Sequence, residues 1–322
     1  MIASADPVAL NSQLSALSSS PKITCLILAY NEEARIRTAL SHATRWADEV
    51  IVLDKESTDR TIEIVHRFAD DSGLSARGGA PGQSEIVGQT PGPQQRATVR
   101  VHHIPFSRQG HERYEDMVAP ASNDWVWHFT PGEVPTPRVI YAAKELLAES
   151  DSQPSTLNSQ LALIRIPTKL WSFGVHDPRS PWGIGYQPRL YHKGRVQFTG
   201  ICHYPIEAAE NRTAMVPVGE DCYVFHPTHP TADAFIRSHA DYCVNEAAKD
   251  LPERVLAQAF YQIQAHDQAF RQNPDLLCQQ IAWQIYWLQT ALHAAERHRA
   301  RDIPAEYRAL TDQALQAWSV KQ

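Results

Sequence analysis

Long apolar runs, paired cysteines and an excess of positive charge are all missing from this chain. No apolar stretch approaches the ~20 residues that a membrane helix needs, so any membrane association is expected to be peripheral. Five cysteines among 322 residues, at positions 25, 202, 222, 243 and 278, stand far apart and form no C-x-x-C pair. That pattern fits reduced thiols in a cytosol rather than a disulfide framework. Lys and Arg number 30 against 36 Asp and Glu, a formal charge of −6. General polyanion binders are usually basic, so nucleic acid is not an expected partner. Residues 1–21 are polar and Ser/Ala-rich, without the basic start and apolar core of a signal peptide, and are expected to form a mobile tail. Internal repeats and coiled-coil heptads are absent too.

What is present is concentrated in Ile23–Glu63. Ile23–Ala29 is a continuous apolar run with β-branched members, as expected of a strand buried on both faces of a parallel sheet. Asn31 offers an N-cap, and Ile36, Ala39, Leu40 and Ala43 recur at helical spacing. Val50–Leu53 is a second strand ending in Asp54, and Ser57 or Thr58 caps a helix whose inner face is Ile62, Val65, Phe68 and Ala69. Strand, helix, strand, helix implies a right-handed crossover, with ligands bound beyond the carboxyl ends of the strands. Those ends carry Tyr30-Asn31-Glu32-Glu33 and Asp54-Lys55-Glu56-Ser57.

These two motifs, with Ala47-Asp48-Glu49 before the second strand and Thr58-Asp59-Arg60-Thr61 after it, resemble the nucleotide-binding half of family 2 glycosyltransferases. The nearest branch is the one that builds lipopolysaccharide cores and other bacterial surface glycans. The resemblance implies a GT-A fold: α/β, with a Rossmann-like, mostly parallel sheet flanked by helices and a helical C-terminal extension. It implies a domain over 22–230 and a helical region over 231–322. It further implies a nucleotide-sugar donor, UDP-linked by expectation, a glycan or lipid-linked acceptor, and inverting transfer of a hexosyl-type group. Ala29, Tyr30, Asn31, Glu32, Asp54 and Ser57 would hold the nucleotide. For Asn31, Ser57 and Asp59, capping and first-turn acidity are the competing roles.

Further along, the chain departs from the family pattern. Where a D-x-D pair normally shares magnesium or manganese with the diphosphate, Asp124-Trp125-Val126-Trp127-His128-Phe129 is followed by Thr130, Gly132 and Glu133. This degenerate motif keeps one carboxylate, so no metal or other cofactor is expected to be essential. Arg113, Arg189, Lys193 and Arg195 are candidates to offset diphosphate charge instead, with surface solvation the competing role for the last two. The family's His-Glu base has become Cys202-His203-Tyr204-Pro205-Ile206-Glu207, leaving His203 or the displaced Glu207, with Asp221 of Glu220-Asp221 as rival or as a simple turn. Cys222, His226 and His229 have a spacing that zinc tolerates but lack the paired-cysteine motif.

The remaining expectations are structural. Residues 71–97, rich in Gly, Pro, Ser and Gln, read as a flexible insertion too poor in apolar residues to order itself. Thr98–Ile104, Asp124–Phe129 and Leu161–Ile166 read as strands, Tyr186–Phe198 as a hairpin around Lys193-Gly194, and Arg138–Leu147 as a helix capped by Thr136. Ala232–Asp250, Glu253–Gln272, Pro274–Arg297 and Ala305–Trp318 read as helices. In the third, Ile281, Ile285, Leu288 and Leu292 form one face, with Trp283 and Trp287 beside it as core or interface. Two functions follow: a cytoplasmic glycosyltransferase of cell-surface polysaccharide synthesis, or a catalytically degenerate relative that binds nucleotide, glycan or a protein partner.

Overall fold

The structure, a computed structural model, describes residues 21–71, 85–89, 97–106, 114–152, 161–199 and 206–299, with 305, 307–309 and 311–312. The chain divides into two compact units, Met1–Pro230 and Thr231–Gln322.

The first unit runs β1 (Ile23–Ala29), α1 (Ile36–Ala43), β2 (Glu49–Asp54), α2 (Thr61–Asp71), β3 (Glu85–Gln89), β4 (Thr98–His103), α3 (Tyr114–Val118), β5 (Trp125–Phe129), β6 (Val134–Pro135) and α4 (Pro137–Ser152). It continues with β7 (Leu163–Ser172), β8 (Ile184–His192), β9 (Gln197–Phe198), β10 (Ile206–Glu207), β11 (Thr213–Met215) and β12 (Val224–Thr228). The main sheet has the order β3-β4-β2-β1-β5-β8-β7-β12-β6, with β11 also beside β7. Its β4-β2-β1-β5 stretch is parallel, as are β7 and β12, while β3, β8 and β6 run against their neighbours. This is the expected α/β class. From β1 the chain builds outward through β2 and β4, then returns to place β5 on the other side of β1. The strand order therefore reverses between β1 and β5, which opens a crevice at their carboxyl ends.

Alternation along the strands explains why β1 and β2 read as unbroken apolar runs. Ile23, Cys25, Ile27 and Ala29, with Val50 and Val52, pack on one face against Ile36, Leu40, Val65, Val139 and Ala143. Leu26, Ile51 and Leu53 point the other way, into a cluster with Tyr114, Met117, Val126 and Tyr191. Both faces are covered, so neither strand can show a polar side.

At the amino edge of the sheet a buried polar staple joins four segments. Glu49 Oε2 accepts from the Thr24 hydroxyl (2.7 Å) and the Ser122 N–H (2.8 Å), and Oε1 accepts from Arg100 Nη1 (2.7 Å) and the Ser122 hydroxyl (2.8 Å). Burial pushes the Glu49 carboxyl up, and the donors from Thr24, Ser122 and Arg100 outweigh it, holding the group below its usual range.

Several local expectations are corrected. Within the expected flexible insertion 71–97, Glu85–Gln89 forms an edge strand antiparallel to β4, with a bulge between Ile86 and Gly88; edge pairing uses backbone groups and needs little apolar surface. The rest of 72–96 lies outside the described residues. Asn31 does not cap α1, whose N-cap is Arg35, and α2 begins on the Asp59 carboxylate, which accepts from the Thr61 N–H (2.9 Å). Thr136 precedes α4, its C=O accepting from the Ile140 N–H (3.4 Å), but its hydroxyl pairs with Tyr223, donating to O (2.9 Å) and accepting from N–H (3.2 Å). The expected hairpin is not one: β8 pairs with β5 and β7, whereas β9 pairs with β10 in a separate ribbon.

The second unit contains α5 (Ala232–Ala248), α6 (Pro252–Ala265), α7 (Asp267–Gln272) and α8 (Leu277–Arg299). Thr231 caps α5 by accepting from the Ala234 N–H (3.2 Å), and Pro252 opens α6. Along α8 the face expected as core or interface is divided: Ile281, Leu288 and Leu292 are exposed and Ile285 is half-buried, while Trp287 is buried as core together with Tyr286. Aromatic bulk took the inward positions, with the Trp283 indole N–H donating to Gln262 O (2.8 Å). Of the expected last helix, 305, 307–309 and 311–312 are helical, and the remainder lies outside the described residues. No helix among the described residues is long and apolar enough to cross a membrane.

Because Glu49 titrates below its unfolded value, its stabilisation is present above about pH 4.5 and lost as pH falls through the folded pKa. Glu49→Gln should cost on the order of 3 kcal/mol, by stranding Arg100 beside a neutral partner. It should also flatten the acid limb of stability against pH, read by chemical denaturation. An unchanged midpoint would remove the staple from the account of stability.

Candidate functional site

Backbone strain marks one edge of the sheet. Among the described residues, four non-glycine residues have positive φ: Asn31 (54°), Glu56 (61°), Phe173 (54°) and His229 (48°). They stand one or two residues past the ends of β1, β2, β7 and β12, whose carboxyl ends all lie on the same side. Non-glycine residues enter this region rarely, and such outliers cluster where function holds them.

The first two belong to a stitched pair of loops. Asn31 Oδ1 accepts from the Thr58 N–H (2.8 Å) and, longer, from the Asp59 N–H (3.3 Å). In return the Asn31 N–H donates to Ser57 Oγ (3.0 Å), the Glu32 N–H to Thr61 Oγ1 (2.6 Å) and the Glu33 N–H to Asp59 Oδ2 (3.1 Å). Asn31, Ser57 and Asp59 thus join the two loops. Asp54 is 2% exposed. One of its oxygens accepts from the Ser57 N–H (3.1 Å), and the other lies 3.0 Å from His103 Nδ1. Beside it Tyr30 and Phe106 are 41% and 43% exposed, their centroids 4.6 Å apart, with Lys55 Nζ 5.4 Å from the Phe106 ring. Ala29 is buried at the end of β1.

Across the crevice the loop after β5 carries Thr130, Gly132 and Glu133. Glu133 is fully buried. Its Oε2 accepts from the Thr130 N–H (2.9 Å), and its Oε1 is met by the Arg189 guanidinium and by His226 Nδ1 (3.2 Å). Burial, opposed by Glu133 and reinforced by Arg189 and Arg35, lowers the His226 pKa and keeps the ring neutral near pH 7. Arg35 forks onto Glu32 through Nε (2.7 Å) and Nη2 (2.8 Å). A methyl group on Gly132 would lie 3.1 Å from its third nitrogen, Nη1. Burial raises the Glu32 pKa, against the pull of Arg35. His42 Nε2 contacts Glu133 O (3.2 Å), and burial lowers its pKa to about 4.

The residues at this position do not fit a divalent cation. Gly132 has no side chain, Thr130 supplies one neutral oxygen, and the Glu133 carboxylate is closed by a guanidinium, an imidazole and a backbone donor. Among the described residues no group of three or more His, Cys, Asp or Glu could hold an ion. Of the residues with zinc-like spacing, His226 faces Glu133, His229 Nδ1 faces Ser172 Oγ (3.0 Å) and Cys222 sits in the turn before β12.

Other candidates are placed elsewhere or not described. Arg113 and His203 lie outside the described residues. Glu207 is exposed on the β9–β10 ribbon. Asp221 lies in the turn closed by Gly219 and Cys222, before β12 and so at the opposite end of that strand from Thr228. Lys193 and Arg195 are at the amino edge, bonded to Ala121 O (2.6 Å) and Leu161 O (3.0 Å), because β8 runs antiparallel and its far turn returns to the start of β5. Sequence reasoning missed Arg35, His42, His103 and Phe106, and it weighed His226 as a zinc ligand or as the histidine that the family carries before its helical tail. The glycine in an acidic position was the available signal for Arg35; no pattern pointed to the others.

Residues 24–77 match the family model "Glycosyl transferase family 2". The SPbeta prophage-derived glycosyltransferase SunS of Bacillus subtilis (strain 168) is 46% identical over 48 residues, 15% of this chain and 11% of that protein. An uncharacterized glycosyltransferase of Rickettsia bellii (strain RML369-C) is 51% identical over 43 residues, 13% of this chain and 15% of that one. The aligned stretches thus span between a tenth and a sixth of the curated relatives' length. Similar solved structures include S. aureus TarS 1–349, with TM-score 0.40 and 12% identity over 71% of this chain and 66% of that one. A second is the mannosyltransferase PcManGT from Pyrobaculum calidifontis in complex with GDP-Man and Mn2+, with TM-score 0.40 and 14% identity over 98% and 90%.

A buried neutral histidine leaves a pH signature. The unfolded chain takes up a proton near pH 6.5 that His42 refuses down to about pH 4, so stability falls as pH drops through that window. The loss should reach on the order of 3 kcal/mol at its lower end. His42→Gln should reduce the slope of unfolding free energy against pH there, and an unaltered slope would refute the assignment. The matched family segment and the stitched loops coincide: both centre on the ends of β1 and β2.

Proposed function

We propose that the chain is a glycosyltransferase that takes a nucleotide-sugar donor at the carboxyl ends of β1, β2 and β4. It passes the sugar, with inversion, to a glycan or lipid-linked acceptor and needs no divalent metal. The observation that carries this reading is buried Asp54 backing His103 beside the exposed Tyr30–Phe106 ring pair. With Nδ1 engaged by the carboxylate, His103 offers Nε2 as an acceptor for an imide N–H such as that of uracil. The ring pair supplies an apolar edge for a base. A UDP-linked donor fits this chemistry.

In the transfer, the acceptor oxygen attacks the anomeric carbon, the bond to the diphosphate breaks, and a base takes the acceptor proton. His226, neutral and held by Glu133, joins His203 and Glu207 as a candidate for that base; pH–rate profiles of His226→Asn and Glu207→Gln separate the two described ones. The departing diphosphate carries charge that a cation must meet. Arg35 is our nominee: Gly132 leaves its Nη1 room where the family has an acid, and Glu32 holds the other two nitrogens. Arg189 is committed to Glu133 and acts by holding that carboxylate closed.

Calorimetry with UDP-, GDP-, CMP- and dTDP-sugars should find one nucleotide class bound, at least about tenfold more weakly by Asp54→Ala and Phe106→Ala. Equal affinity in both variants would sink the nucleotide site. Transfer should persist in chelator and fall by a factor on the order of 100 in Arg35→Gln. Activity abolished by chelator and restored by manganese would overturn metal independence. Nucleotide binding without turnover of any donor would favour the catalytically degenerate alternative.

A further inference from the structure

In the second unit, the 23-residue helix α8 leaves one face uncovered. Its other sides are held from within that unit. The Cys243 thiol of α5 donates to Tyr286 O (3.4 Å), the Trp283 indole N–H donates to Gln262 O of α6 (2.8 Å), and Val255 of α6 clusters with Ala294. Leu277, Ile281, Leu288 and Leu292 turn away from these contacts and are 58%, 49%, 54% and 60% exposed. Steps of four, seven and four residues put them in one stripe, ~22 Å long. A single exposed leucine is ordinary on a protein surface, whereas a row of four large aliphatic side chains marks an interaction site. Charge does not interrupt the row: from Leu277 to Ala295 the helix has no Asp, Glu, Lys or Arg.

The stripe is symmetric about its own midpoint, which falls between Gln284 and Ile285. Ile281 and Leu288 lie equally far to either side of it, and so do Leu277 and Leu292. Laid antiparallel on a copy of itself, such a helix sets Ile281 against Leu288 and Leu277 against Leu292. Each pair then occurs twice, as a two-fold axis requires. Close to the axis a residue meets its own counterpart, so a charged group there would face its like. Gln284 occupies that place, and its amide can both donate and accept. Antiparallel pairing also opposes the two helix dipoles. A lipid surface is a poorer match, because a helix lying on a membrane lines its apolar face with Lys and Arg.

We propose that the Leu277–Ile281–Leu288–Leu292 stripe is the contact through which two copies of this chain associate, α8 against α8 in antiparallel register. The pairing is independent of the transferase reading. Two helices in contact along the whole of α8 share a face of ~35 Å by ~11 Å, roughly 400 Å² per copy. That is about half of what each partner gives to an interface of standard size, so the dimer should be reversible, with Kd on the order of micromolar. Within the row the side chains gain only apolar burial, which suits leucine and isoleucine and leaves no buried charge to compensate.

Sedimentation velocity on the full chain between roughly 1 and 200 µM should show monomer passing into dimer. Leu288→Glu and Ile281→Lys should each weaken the dimer at least about tenfold. Neither should lower the thermal midpoint, because both side chains are exposed in the monomer. Combined in one chain, the two changes should restore association, since each glutamate then faces a lysine of the other copy. For direction, Ile281→Cys and Leu288→Cys chains, both in a Cys278→Ser background, should form a 281–288 disulfide when mixed and mildly oxidised, and neither alone should link to itself at these positions. A wild-type monomer at every concentration, or a dimer indifferent to the charge variants, would overturn the pairing. So would a monomer whose binding to anionic vesicles is lost in Leu288→Glu, which would assign the stripe to lipid. Self-linking through position 281 alone would overturn the antiparallel register.

Discussion

The side-chain amide of Asn31 is the interaction on which this arrangement turns. By accepting from the backbone of Thr58 and Asp59 it fixes the end of β1 to the end of β2. Those strands lie side by side, but nothing in a parallel ladder dictates how the loops beyond it are held. The amide, answered by Ser57, Asp59 and Thr61, makes one rigid lip from two loops. The left-handed backbone at Asn31 is tolerable because asparagine suffers least there among side-chain-bearing residues. Asp54 then sits beneath a lip that cannot drift, and a buried carboxylate can orient an exposed histidine.

Much of this half of the molecule was legible in the sequence, and the reason is local. β1, α1, β2 and α2 each bury a face within a few residues of chain, so their periodicities are written continuously. What escaped was whatever depended on a partner far away. Asn31, read as a cap, bonds 27 residues onward. Arg189 meets Glu133 across 56 residues, and no spacing rule encodes that. Lys193 and Arg195 were nominated as positive side chains that could offset diphosphate charge, against surface solvation; the antiparallel direction of β8 carries them to the opposite edge. The edge strand β3 was hidden because it needs an open neighbour more than a pattern.

Charge in the crevice is balanced by protein groups. Glu133 is closed in by a guanidinium, an imidazole and an amide N–H, which leaves its surroundings unlike those of a metal-binding acid. Without such closure a fully buried carboxylate would stand uncompensated, a state that proteins avoid. Thr130, Gly132 and the Arg189 pairing are therefore best understood together. Gly132 opens space on the side of Arg35 while Arg189 settles the carboxylate behind it.

The short strand that leaves this loop has a consequence of another kind. β6 is only Val134 and Pro135, and it forms one border of the main sheet. A border strand ordinarily offers a row of unsatisfied amides to any passing chain, and it invites fibrous association. Here the row is two residues long, and one of them has no N–H to give. The turn that seats Glu133 thus also blunts the sheet, so that solubility at this border is secured by the same few residues that shape the floor of the crevice.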